Sequence, residues 1–328
     1  MDKSQDLVES LIRTAGRRVE PPEDAYRQVF AAANEAFRAR TARRRESLWM
    51  LWAGAAAVLV LAVALMLQWT PPGAGREELA RIERAIGGVE RATGDVWQPV
   101  GESAAPLTRG MKLRTLAGAH AGLVLAGGAS LRLAPATEIM LDEPGRLYLS
   151  GGTVYLDHRG SVGTGYRIET PAGTVRDVGT QFELRVASGA LRLRVREGSV
   201  EIDRAGQTLG GAAGEQLEID ALGGITRSRI PATDAAWQWT EAIAPTPDVD
   251  GKPAAELIAW VARETGRRLR YASAAVEQRA TTVILHGNIR HLPPLSALDA
   301  MLATTDLEYA LDGDTMEIRA RSATPAEP

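Results

Sequence analysis

The sequence predicts a multidomain chain: a short α-helical segment, one transmembrane helix, an all-β domain of sandwich, barrel or solenoid type, and a small α+β domain at the C-terminal end. Three observations carry this. No residue is ionisable from Ser47 to Gly75; short alternating runs recur between Gly, Pro and Asp turns from Gly94 to Ile230; and helical and strand periods interleave from Asp248 to Arg319. The 328 residues, 45% hydrophobic and 24% charged, have ordinary globular composition and enough length for two domains or more. A net charge of -3 leaves no whole-chain basic footprint, so direct contact with nucleic acid is not expected. The absence of cysteine excludes disulfides, thiolate metal sites, thiol nucleophiles and a lipidated cysteine anchor.

The first 46 residues form the helical segment. Leu7, Val8, Leu11, Ile12 and Ala15 recur at helical spacing, and Pro21-Pro22 break the chain. A second helix then carries Tyr26, Val29, Phe30, Ala33 and Phe37 along one stripe, which makes them candidate partner-binding residues. So short a unit cannot bury a large core. It is either a small hairpin closed on itself or a handle whose apolar face awaits a partner helix.

Residues 47–70 are the transmembrane helix. Leu48 to Trp69 contains no charge, and at about 1.5 Å per residue it spans roughly 33 Å, matching a hydrocarbon core about 30 Å thick. A cleaved signal peptide fits poorly, because the run starts deep in the chain and ends in Gln-Trp-Thr-Pro-Pro. Trp49, Trp52 and Trp69 suit the two interfacial belts. Arg43, Arg44 and Arg45 end a basic flank that resists translocation, so the N-terminus is expected in the cytoplasm and everything after Thr70 on the far side.

Beyond the span, the amphipathic stretch Glu77 to Arg91 predicts a stalk helix within residues 71–93. Residues 94–230 then read as strands, among them Gly122–Leu125, Ser130–Leu133, Arg146–Leu149, Thr153–Leu156, Tyr166–Thr170, Gln181–Val186, Leu191–Val195 and Ser199–Ile202. Pro231, Pro245 and Pro247 mark residues 231–247 as a linker in which Trp237 and Trp239 are expected to pack. In residues 248–319, Pro253 opens a helix that Gly266 stops, and strands are expected at Arg268–Tyr271 and Thr282–Leu285. Pro293-Pro294 open a second helix, and Asp312-Gly313-Asp314 turns a terminal hairpin, giving the order βαββαββ. Residues 320–328 are expected to be a disordered tail.

Chemistry is sparse. His286 and His291, five apart, lack the i, i+4 spacing of a helical zinc pair, and no metal or other cofactor is expected. Asp142, Glu143, Glu197 and Glu215 sit beside Gly or Pro turns and read as turn and edge residues before they read as a general acid–base pair. Gly127-Gly128, Gly151-Gly152 and Gly210-Gly211 lack the Lys-Ser/Thr of a phosphate loop and are expected in positive-φ turns.

Six blocks in order, LTRGMKLRT (Leu107–Thr115), AGLVLAGGASLRL (Ala121–Leu133), LYLSGGTVY (Leu147–Tyr155), TPAGTVRDVGTQFELRV (Thr170–Val186), VREGSVEI (Val195–Ile202) and AGEQL (Ala213–Leu217), resemble the FecR domain of membrane-bound anti-sigma regulators. Residues 248–319 are similar to the short N-terminal domain of secretins and TonB-dependent receptors, through Val249–Pro253, Glu264-Thr265-Gly266, His286–Ile289 and Leu295–Leu311. The resemblance implies a bacterial inner-membrane protein whose cytoplasmic segment holds an extracytoplasmic-function sigma factor. Its periplasmic part would meet an outer-membrane TonB-dependent receptor. The family's cytoplasmic segment often carries recurring Trp, and Met1 to Glu46 has none. The resemblance also places Gly179-Thr180 where some members cut their own chain, by attack of the Thr hydroxyl on the preceding carbonyl. Otherwise Gly179 is simply a conformationally special entry to a strand. Two further readings are an envelope scaffold that uses the C-terminal domain for protein binding, without sigma-factor control, and a membrane-tethered enzyme.

Overall fold

The computed structural model describes residues 24, 27–35, 77–101, 106–158, 165–177 and 179–321. It divides into two units, Met1–Ala74 and Gly75–Pro328. In the first, residues 27–35 are helical, and Val29, Phe30 and Ala33 are exposed. Tyr26, Phe37, Arg43, Arg44, Arg45, Trp49, Trp52, Trp69 and the whole expected span lie outside the described residues. Among the described residues, no helix is long and apolar enough to cross a membrane.

The second unit begins with β1 (Glu78–Ile86), β2 (Val89–Thr93), β3 (Val96–Pro99), β4 (Pro106–Thr108), β5 (Met111–Thr115), β6 (His120–Leu125), β7 (Ser130–Leu133), β8 (Thr137–Glu143) and β9 (Arg146–Asp157). It continues with β10 (Arg167–Thr170), β11 (Gly173–Asp177), β12 (Gln181–Ala187), β13 (Ala190–Glu197), β14 (Ser199–Arg204), β15 (Gln207–Ala212), β16 (Glu215–Ile219) and β17 (Ile225–Arg229). One layer runs β4-β1-β6-β7-β9-β12-β13-β16-β17. The other runs β3-β2-β5-β8-β9-β10-β11-β14-β15. Only the β9–β10 pairing within these layers is parallel. The alternating residues of both layers, Leu131, Val154, Phe182 and Leu184 from one and Leu113, Ile139, Leu149 and Ile202 from the other, meet in one buried cluster. The domain is therefore a two-layer sandwich.

β9 belongs to both layers. The sequence predicts two separate strands here, Arg146–Leu149 and Thr153–Leu156, but the chain is one strand that crosses over at Gly151-Gly152. Gly152 has φ 101°, and a Cβ there would stand 2.4 Å from Thr137, so a side chain would prevent the crossing.

Further expectations for the sandwich need correction. The predicted stalk helix within 71–93 is instead β1 and β2. Register shifts in β1 between Glu78 and Ala80 and between Ile82 and Arg84 break the two-residue alternation, so its apolar positions mimic a helical period. The glycine pairs also divide: Gly127 and Gly128 do take positive φ, but Gly210-Gly211 lies inside β15. There, a Cβ on Gly211 would come within 2.9 Å of Leu193.

After the sandwich, residues 231–247 are more than a linker. A single 3-10 turn (Ala235–Trp237) leads into α1 (Gln238–Ala242). Trp237 is fully buried with Tyr155 and Ile230, and Trp239 donates its indole N–H to Glu183 at 2.9 Å. The C-terminal domain follows as β18 (Lys252–Pro253), α2 (Ala254–Glu264), β19 (Arg268–Tyr271), α3 (Ala274–Thr282), β20 (Ile284–Leu285), α4 (Pro294–Leu302), β21 (Leu307–Asp312) and β22 (Thr315–Ala320). Both expected helices and the terminal hairpin are present, and Gly266 takes φ 64° just beyond the end of α2. The expected order lacked α3, and the strand expected over Thr282–Leu285 shrinks to β20. Only Val276 and Ala280 of α3 are buried, too few for an apolar stripe; its sequence signal is the N-cap Ser273, whose hydroxyl accepts from Val276 N–H.

Candidate functional site

The end of β9, the end of β11 and the start of β12 converge at Gly179-Thr180. Thr180 is fully buried. Its hydroxyl donates to Asp177 Oδ1, which also accepts the Gly179 N–H at 3.1 Å. The other carboxylate oxygen, Asp177 Oδ2, is in hydrogen-bond contact with His158 Nδ1. The His158 backbone N–H donates to Thr180 O at 3.0 Å, so the imidazole is tied to the strand it serves. Its ring meets Tyr166 edge-on at 4.8 Å, and Tyr166 is anchored by its hydroxyl to Ala126 O at 2.8 Å. Burial pushes the Tyr166 phenol above its ordinary pKa.

Gly179 has φ 85°, in the left-handed region. Its carbonyl faces Gly198, where a Cβ would come within 3.0 Å of the carbonyl oxygen and 2.5 Å of Thr180 Cγ2. The peptide bond between Gly179 and Thr180 is thus pressed against the bare backbone of Gly198, and the Thr180 hydroxyl, the Asp177 carboxylate and the His158 imidazole follow one another in a buried hydrogen-bonded chain. The arrangement joins a hydroxyl, a carboxylate that accepts from it and an imidazole that contacts the same carboxylate.

A second polar cluster adjoins it where the C-terminal domain meets the sandwich. Arg132 of β7 is fully buried; its Nη1 donates to Thr240 O at 2.8 Å and its Nη2 lies 2.7 Å from Glu264 Oε2 of α2, itself fully buried. Burial disfavours the Arg132 charge, but Glu264, Tyr155 and Asp157 outweigh it and hold the guanidinium above its ordinary pKa. Arg196 donates to Ala232 O at 2.7 Å and to Glu264 O at 2.8 Å. Arg263 of α2 reaches Asp157 at 3.4 Å, and Asp157 is the residue before His158. The cluster and the Gly179-Thr180 site are therefore neighbours along β9.

The other sequence candidates scatter. Asp142 and Glu143 pair with Arg109 and Arg146 at the β8–β9 turn. Glu215 caps Ala212 N–H and faces Arg227, while Glu197 lines a cleft beside Arg196 and Gly266. His286 sits 3.3 Å from Asp250 on an exposed loop, and His120 stacks on Trp239, its pKa lowered by burial. No group of metal-ligating side chains is found among the described residues. Sequence reasoning missed Asp177, although it stands inside the quoted block three residues before Thr180. It also missed His158, which nothing local announces.

Residues 111–201 match the family described as FecR protein. No curated protein matches the chain. Among solved structures, two crystal structures of a "putative anti-sigma factor from Parabacteroides distasonis ATCC 8503" are 16% identical to this chain, cover 64% of it and 99% of their own length, and give TM-scores of 0.35 and 0.36.

Proposed function

We propose that the chain is a single-pass inner-membrane signalling regulator of the FecR type. Its cytoplasmic segment holds an extracytoplasmic-function sigma factor, and its periplasmic sandwich and C-terminal domain receive a signal from another envelope protein, such as an outer-membrane TonB-dependent receptor. The observation that carries this reading is the FecR match over residues 111–201, in a chain that also holds an uncharged run behind an arginine flank. The exposed Val29, Phe30 and Ala33 suit a handle for a partner helix. Pull-down with residues 1–46 tests it. Capture of a sigma factor is the expected result, and failure to capture one favours the envelope-scaffold reading, to which the Trp-free segment lends weight. Reporter fusions after Thr70 test the orientation, with export expected.

The same reading includes self-cleavage between Gly179 and Thr180 by an N-to-O acyl shift. The buried Thr180 hydroxyl, already hydrogen-bonded to a carboxylate, supports it. The expected product is a pair of fragments ending at Gly179 and beginning at Thr180. Both are lost in Thr180→Ala and kept in Thr180→Ser.

A further inference from the structure

A threonine hydroxyl is a poor nucleophile until its proton has somewhere to go. At Gly179-Thr180 the proton points at one oxygen, Asp177 Oδ1. That carboxylate is enclosed by protein and gripped from both sides, by Gly179 N–H on Oδ1 and by His158 Nδ1 on Oδ2. His158 is held by its own backbone bond to Thr180 O and by the ring of Tyr166. With the carboxylate ionised, Nδ1 carries the hydrogen of that contact.

From this geometry we infer that Asp177 is the catalytic base of the Gly179-Thr180 cleavage and that His158 is the positioning residue that aims it. The inference rests on the self-cleavage reading above. Thr180 Oγ1 gives its proton to Asp177 Oδ1 and forms a bond to the Gly179 carbonyl carbon, closing a five-membered ring. The tetrahedral centre collapses by breaking the bond from that carbon to the Thr180 nitrogen, which takes the proton back from Asp177. The product is an ester between Gly179 and Thr180 Oγ1 with a free α-amine on Thr180. Water then hydrolyses the ester: its oxygen bonds to the Gly179 carbonyl carbon, and the bond from that carbon to Thr180 Oγ1 breaks. One hydrogen passes to Oγ1 and the other leaves as a proton taken up by solvent or the new amine, giving a carboxylate on Gly179 and a hydroxyl on Thr180. Asp177 ends each passage as it began.

The test uses the full chain purified in detergent, with fragment masses followed over time and hydroxylamine added to trap the ester as a hydroxamate at Gly179. Asp177→Asn, equal in size, is expected to slow cleavage by about 100-fold or more while leaving the thermal midpoint near wild type. His158→Ala is expected to slow it by up to about 100-fold through misplacement of the carboxylate. His158→Asn, whose amide nitrogen can replace Nδ1, restores most of the rate, which a merely structural histidine would not require. If Asp177→Asn proves unstable, the His158→Ala and His158→Asn pair carries the test, since both keep Asp177. Wild-type cleavage with an unaltered rate in Asp177→Asn overturns the assignment and leaves the self-cleavage reading standing. An uncut wild-type chain overturns both.

Discussion

The interior of the sandwich and the seam beneath the C-terminal domain are both buried but differently built. In the sandwich, Leu131, Val154, Phe182 and Leu184 close on one another with no polar group to satisfy. In the seam, buried Arg132 pairs with buried Glu264, Asp157 with Arg263, and Arg196 with the backbone carbonyls of Ala232 and Glu264. Apolar packing tolerates small displacements, whereas a buried ion pair is favourable only when both members are in place. The seam therefore joins the two domains through paired polar groups, whereas the sandwich is joined through apolar area.

The largest effects should separate these two kinds of interior. Phe182→Ala is expected to cost about 3–5 kcal/mol in chemical denaturation, with no single second substitution restoring it. Arg132→Met should cost a similar amount, about 3–5 kcal/mol, because Glu264 is left buried and leaning on Arg263 alone among the described residues. The seam would differ in being rescuable: adding Glu264→Leu should return much of the loss, and a double-mutant cycle measures the return.

A smaller effect depends on pH. Burial, partly opposed by Arg196 and Arg132, pushes the Tyr155 phenol up to about 12 from 10.0. Folding retains the proton that the unfolded chain releases, so stability is intact below about pH 10 and falls as pH rises towards 12, in total by on the order of 3 kcal/mol. Tyr155→Phe should flatten that fall. At neutral pH it should cost little, since the phenol oxygen has no hydrogen-bond partner among the described residues. The smallest effect belongs to the exposed pair Arg268–Asp314, 2.7 Å apart. Arg268→Ala there should change stability by less than about 1 kcal/mol, and less again in high salt.

The same contrast explains what was legible in the sequence. Strands such as β6, β7, β12 and β13 show in the alternation of Leu and Val because one face is apolar. The helices α2 and α4 show in their proline starts and apolar stripes. β1 was hidden because its bulges disturb the period, and α3 because it buries little. Arg132 and Glu264 look like surface charges until folding brings them together over 132 positions of chain; likewise, nothing in the string joins His158 to Asp177. Only the Gly179-Thr180 step was visible, through its likeness to a known pattern, and the groups around it had to come from the fold.

β12 is clasped between β9 and β13 over Gln181–Val186, and β11 is zipped to β14 over Thr174–Asp177. Severing the backbone after Gly179 would therefore not part the molecule: the two polypeptides would remain interleaved like the fingers of folded hands. Their separation would be a mechanical event, requiring a pull that peels a strand from its neighbours, and a nicked protein at rest would still resemble an intact one.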